Sequence, residues 1–167
     1  AAHPKGRVLL LGTRGTVRSG AYRRALLALA PEVELDTQAC PLFVPFAEEG
    51  WTDGPVVAEV VRSYLEPALR GPPPEALILG CTHYPLLQSG IAEGLSRLVA
   101  RPVRIYDSGP WAAEALRQAL TDAQLLAPRG AIATARYLVT DDPESFAAVG
   151  TRFLGEPLGG AEHVDAP

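Results

Sequence analysis

Cys81, Thr82 and His83 place a thiol, a hydroxyl and an imidazole within three consecutive residues. A thiol followed two residues later by an imidazole can be tuned as an acid or a base. Ahead of them lies a short apolar run, Ala76-Leu77-Ile78-Leu79, which reads as a buried parallel strand. Behind them Pro85-Leu86-Leu87 opens a helical pattern. A strand-to-helix turn is where open α/β sheets bind their ligands. The N–H groups of the following helix start would favour a thiolate and could hold a carboxylate. The plainer alternative for Cys81 is a buried structural cysteine. For His83 it is a helix-entry histidine bonded to backbone.

Three further turns could join this one. Gly12-Thr13-Arg14-Gly15-Thr16 follows an apolar run and could present hydroxyls and N–H groups to an anion. It has neither the Gly-Lys-Ser/Thr ending of a nucleotide-binding loop nor a G-x-G-x-x-G pattern, and read alone it is an ordinary βα turn. Glu48 and Glu49 end a Pro-flanked aromatic segment, and read alone they form a solvated acidic loop. Asp107-Ser108-Gly109 follows another apolar run, where helix capping is the simple role. Cys40 reads as core. The tips Thr13, Glu48, Cys81 and Asp107 lie at or near four successive strand ends, which share one edge in a parallel sheet. His3, His83 and His163 have no metal-ligand spacing, so no metal site is expected.

The elements that must position these tips alternate. Strands are predicted at 7–11, 33–39, 75–79 and 102–106, with helices at 22–29, 55–69, 85–98 and 110–126. Residues 41–46 carry two prolines and read as irregular. Beyond a loop at 128–134, a strand at 136–140 precedes a helix from Asp142 to about Phe153, and a last short strand falls near His163. Residues 1–6 lead into the first strand with no element ahead of it. This alternation argues for an α/β fold, a parallel sheet with helices on both faces.

Composition is that of a globular chain: 167 residues, 47% hydrophobic, 20% charged and a net charge of −4. The acidic sum argues against direct nucleic-acid binding, and Arg14, Arg18, Arg23 and Arg24 read as a solvated helix face. No apolar stretch approaches the roughly 18 residues of a membrane span, and no signal-peptide core is visible, so a soluble, cytoplasmic chain is expected. Two cysteines make no disulfide framework. Methionine is absent, even at position 1.

Four motifs, in order, resemble those of glutamate racemases in the aspartate/glutamate racemase superfamily. Gly12-Thr13-Arg14-Gly15-Thr16-Val17-Arg18-Ser19-Gly20-Ala21-Tyr22 is similar to the family's Gly-Thr-x-x-Thr-Val-x-Ser-x-x-Tyr. Cys40-Pro41-Leu42-Phe43-Val44-Pro45-Phe46-Ala47-Glu48 resembles its Cys-Pro-x-Phe-Val-Pro-x-x-Glu. Gly80-Cys81-Thr82-His83-Tyr84-Pro85-Leu86 reproduces its second catalytic motif, and Asp107-Ser108-Gly109 its late Asp-Ser-Gly. The aspartate racemase branch usually carries Glu where His83 stands, which favours glutamate.

The resemblance implies interconversion of L- and D-glutamate for peptidoglycan without pyridoxal phosphate or metal, and so no cofactor. It assigns Cys81 to one face of the substrate, with His83 and Glu48 tuning proton transfer. It also assigns Thr13, Thr16, Thr82 and His83 to substrate binding. The family's first catalytic cysteine lies in an N-terminal region with no counterpart here. Residues 1–106 are therefore expected to be the second racemase lobe, incomplete at its N-terminus. Residues 107–167 are expected to be a segment that returns to the first lobe. On this view the chain is a half-site, inactive alone, whose partners are glutamate and either the N-terminal lobe or a homo-oligomer. An aspartate racemase, a single-cysteine decarboxylase of the same superfamily and a non-enzymatic binding remnant are the alternatives.

Overall fold

A computed structural model describes residues 5–132 and 134–165. Its elements in chain order are β1 (Arg7–Gly12), α1 (Arg14–Ser19), α2 (Ala21–Leu29), β2 (Glu34–Ala39), α3 (Phe43–Glu49), α4 (Pro55–Ala68) and β3 (Ala76–Gly80). A 3-10 turn (Tyr84–Leu87) leads into α5 (Gln88–Leu98), followed by β4 (Arg104–Asp107), α6 (Gly109–Asp122), β5 (Leu138–Val139), α7 (Pro143–Leu154) and β6 (Glu162–His163). The first four strands form one parallel sheet in the order β2-β1-β3-β4. The chain divides into two compact units between Trp111 and Ala112.

In the first unit both sheet faces are packed, which is why β1 and β3 read as unbroken apolar runs rather than alternating ones. Leu9, Leu11, Leu77 and Leu79 point to one face and pack with Phe43, Val57, Val61, Leu65, Ile91 and Leu95 of α3, α4 and α5. Val8, Leu10 and Ala76 point to the other and pack with Ala30, Val33 and Leu35, with Leu26 of α2 beside them. Each fully buried leucine contributes about 1.5–3 kcal/mol. Next to α2 an apolar groove of about 560 Å³ remains over β1, β3 and β4, lined by Val8, Tyr22, Leu26, Ile78, Tyr106 and Trp111 among others.

The structure departs from the sequence expectations in several places, among them the helix expected over 110–126, which ends at Asp122. Residues 43–49 are a helix, not an irregular segment. Pro45 falls in its first turn, where a missing N–H costs nothing, and Phe43 and Ala47, four apart, are both buried. The turn after β1 winds into α1, because the Thr13 hydroxyl accepts the Thr16 N–H at 3.1 Å and caps it. The helix expected from residue 85 begins as a 3-10 turn over Tyr84–Leu87 before α5 takes over. The strand expected over 136–140 shrinks to Leu138–Val139. Two sequence expectations touch residues outside those described: the lead-in at 1–4 and residue 133 of the 128–134 loop.

The second unit holds most of α6, α7 and a two-stranded parallel ladder pairing Leu138 with Glu162 and Val139 with His163. The Asp142 side chain caps α7 by accepting the N–H groups of Glu144 and Ser145. Among the described residues of this unit only Val139 is buried, while Phe146, Phe153 and Leu154 are exposed. No helix among the described residues is long and apolar enough to cross a membrane.

Candidate active site

Register brings the four motif-bearing turns to one edge. Gly12 at the end of β1 pairs with Ala39 on one side and Gly80 on the other, and Leu79 pairs with Asp107. The next residues, Cys40, Thr13, Cys81 and Ser108, therefore leave the sheet side by side. Backbone bonds across the edge hold this alignment, the Cys40 N–H donating to the Gly12 carbonyl oxygen at 2.9 Å. At the end of β3 only glycine fits. A Cβ on Gly80 would lie 2.6 Å from Leu10 Cδ1 and 3.0 Å from the Leu11 carbonyl oxygen. The backbone is thus pressed onto β1 immediately before Cys81.

Past that glycine, Cys81 is half-buried. Its Sγ lies 3.9 Å from His83 Nδ1, within sulfur hydrogen-bonding reach. The Thr82 hydroxyl oxygen lies 3.4 Å from the same nitrogen. On the far side of the ring, His83 Nε2 faces Glu48 Oε1 at 3.6 Å, an ion-pair distance once the imidazole is protonated. The turn therefore aligns thiol, imidazole and carboxylate, the last delivered from α3. A carboxylate beside Nε2 favours the proton there and leaves the Nδ1 lone pair toward the thiol.

Thr13 and Thr16 lie on the neighbouring strand end. Their hydroxyls are 3.0 Å apart at the start of α1, both half-buried. Asp107 is engaged locally, Oδ1 accepting the Gly109 N–H at 2.8 Å where α6 begins. The structure thus joins Cys81, Thr82, His83 and Glu48 through direct contacts around the imidazole. It places Thr13 and Thr16 one strand away, and it uses Asp107 at a helix start.

The two thiols are unlike. Cys40 is fully buried, and burial pushes its thiol up to about 12. It is a core sulfur, while Cys81 is accessible. Tyr84, which carries no role that its sequence position alone suggests, is also fully buried, and its phenol is raised chiefly by that burial and further by Cys40, Cys81 and Tyr64 nearby. Its hydroxyl donates to the Cys40 carbonyl oxygen at 2.8 Å, and its ring meets Phe43 edge-on at 5.2 Å. The signal for it in the sequence is slight, an aromatic residue wedged between His83 and Pro85. Among the described residues no group of three His, Cys, Asp or Glu side chains is arranged to hold a metal ion.

The chain and its fold have counterparts among known proteins. The family model for Asp/Glu/Hydantoin racemase matches residues 1–116. The glutamate racemase of Geobacter metallireducens is 45% identical over 159 residues, covering 95% of this chain and 57% of that protein. The crystal structure of glutamate racemase from Francisella tularensis in complex with D-glutamate aligns with a TM-score of 0.84 at 32% identity, over 96% of this chain and 58% of that one. That of Escherichia coli glutamate racemase, in complex with L-glutamate and the activator UDP-MurNAc-ala, aligns with a TM-score of 0.67 at 28% identity, over 96% and 58%. The chain spans somewhat over half the length of the curated relatives it matches. With a parallel sheet that aligns onto racemase structures, a family match over most of its length and relatives this similar, the chain belongs to the Asp/Glu/Hydantoin racemase family.

Proposed function

We propose that the chain carries one thiol face of a cofactor-independent glutamate racemase. Cys81 is the base or acid at one face of the α-carbon, and its thiolate takes the α-proton of L-glutamate. His83, oriented by Glu48, accepts and returns the thiol proton. The hydroxyls of Thr13, Thr16 and Thr82 and the His83 ring bind the substrate carboxylate and the charge that grows on it as the carbanion forms. A second thiol on the opposite face delivers the new α-proton, so that one proton leaves and one arrives. The product, D-glutamate, serves peptidoglycan synthesis, and the reaction runs in the cytoplasm, where thiols stay reduced.

The observation that carries this reading is the Cys81–His83–Glu48 alignment at a sheet edge where four strand ends are in register. The Francisella tularensis and Escherichia coli racemase structures hold D- and L-glutamate, and we transfer that substrate to this chain as part of the proposal. Only one of the two cysteines here is accessible, so the opposing thiol comes from a lobe outside these residues. Residues 1–106 belong to the lobe bearing Cys81, and residues 107–167 run from the end of β4 out of that lobe to complete the opposing one. The second unit supports this assignment, since a ladder of two-residue parallel strands with one buried side chain requires further strands for a core.

The test is α-proton exchange of L- and D-glutamate in heavy water, followed by NMR with this chain and with Cys81→Ser. Deuterium entering L-glutamate without D-glutamate appearing, and only with Cys81 present, is the expected result. Racemisation by the chain alone would refute the half-site. Exchange undiminished in Cys81→Ser would refute the assignment of the base.

A further inference from the structure

The proposed site is assembled from two segments 35 positions apart, Glu48 on α3 and the Cys81–His83 turn after β3. The ion pair between them cannot hold itself in place. Glu48 and His83 side chains are 51% and 28% exposed, and pairs in such surroundings contribute little. Buried contacts beneath the pair can set their separation.

Tyr84 makes the required connection. Its backbone N–H donates to the Cys81 carbonyl oxygen at 3.2 Å and so closes the catalytic turn. Its hydroxyl donates to the Cys40 carbonyl oxygen at 2.8 Å. That same carbonyl accepts the N–H of Phe43, the first residue of α3, at 3.2 Å. The rings continue the link. Tyr84 meets Phe43 edge-on at 5.2 Å and 83°, and Phe43 meets Tyr64 edge-on at 5.3 Å and 87°. The Tyr64 hydroxyl oxygen then accepts the Leu42 N–H at 3.3 Å.

We infer that Tyr84 is a positioning residue whose hydroxyl holds the start of α3 against the Cys81 turn, and thereby keeps the Glu48 carboxylate within ion-pair reach of His83. Glu48 lies five residues along α3 from Phe43, a rigid arm of about 7–8 Å. A displacement at the anchored end is carried to a carboxylate already 3.6 Å from its partner. The inference rests on the proposed role of Cys81, His83 and Glu48.

A double-mutant cycle read on the Cys81 thiol tests it with the whole chain. Cys40 is fully buried, so the rate of iodoacetamide alkylation in the folded protein reports Cys81. Rates are measured at pH 7.5 for the parent, Glu48→Gln, Tyr84→Phe and the double variant. Glu48→Gln is expected to slow alkylation about threefold in the parent and to have almost no effect in the Tyr84→Phe background. An equal factor in both backgrounds would overturn the inference even if Tyr84→Phe melts earlier, because a purely structural residue leaves the Glu48 effect intact. No Glu48→Gln effect in the parent would remove the proposed relay itself, and this inference with it. Should Tyr84→Phe not fold, Tyr64→Phe loosens the other hydroxyl of the same anchor. It is expected to shrink the factor likewise, and an unchanged factor there counts against the anchor.

Discussion

Raising the pH should destabilise this protein through Cys40 in a way that can be isolated. The thiol is fully buried, and burial lifts it from about 9 to about 12. A group bound to its proton more tightly in the folded state contributes stability below its unfolded value and loses it as pH rises toward the folded one. The loss therefore falls between pH 9 and 12, at up to about 1.4 kcal/mol per pH unit. From pH 8 to pH 10.5 it amounts to about 2 kcal/mol. The comparison is with Cys40→Ala, which shares every other titratable group of the chain, so their contributions cancel. Cys40→Ala should be less stable than the parent at pH 8, having lost a packed sulfur, and the gap should narrow by about 2 kcal/mol by pH 10.5. Urea unfolding at both pH values, followed by circular dichroism, measures this. Parallel pH dependences in the two proteins would refute the reasoning, since they would mean that Cys40 ionises as easily folded as unfolded.

Alkylation at pH 8 should stop at one thiol per folded chain and reach two in urea, as mass spectrometry would show, because only Cys81 is accessible. Gly80→Ala should cost about 1–3 kcal/mol by urea titration, since the added methyl meets both the Leu10 side chain and the Leu11 carbonyl oxygen. Asp142→Ala removes the acceptor for two N–H groups at the start of α7 and should cost about 1 kcal/mol, whereas Asp142→Asn should recover most of it.

The local chemistry of the chain determined much of its fold. The runs around residues 7–11 and 76–79 are apolar at every position because both sheet faces are packed, and that pattern is visible without coordinates. Pro55 at the start of α4 and Asp142 at the cap of α7 are equally local signals, acting within one turn. The motif around Cys81 placed a thiol and an imidazole at a strand-to-helix turn by adjacency alone. Where a local rule is permissive, the sequence was ambiguous. Proline ends a central strand but is tolerated in a first helical turn, so α3 was hidden until Phe43 and Ala47 had a core to enter.

Contacts between distant segments belong to the tertiary structure. That Glu48 faces His83 depends on how α3 leaves the β2 edge, and no periodicity encodes it. The Tyr84 hydroxyl finds a carbonyl 44 residues away because β2, β1 and β3 end in register, a consequence of side-chain packing on both faces of the sheet. The difference between the two thiols is likewise a matter of burial. Both cysteines follow strand ends, yet one is sealed beneath α3 and the 3-10 turn while the other opens at the edge. Burial is a property of what packs around a residue, and only the folded chain decides it.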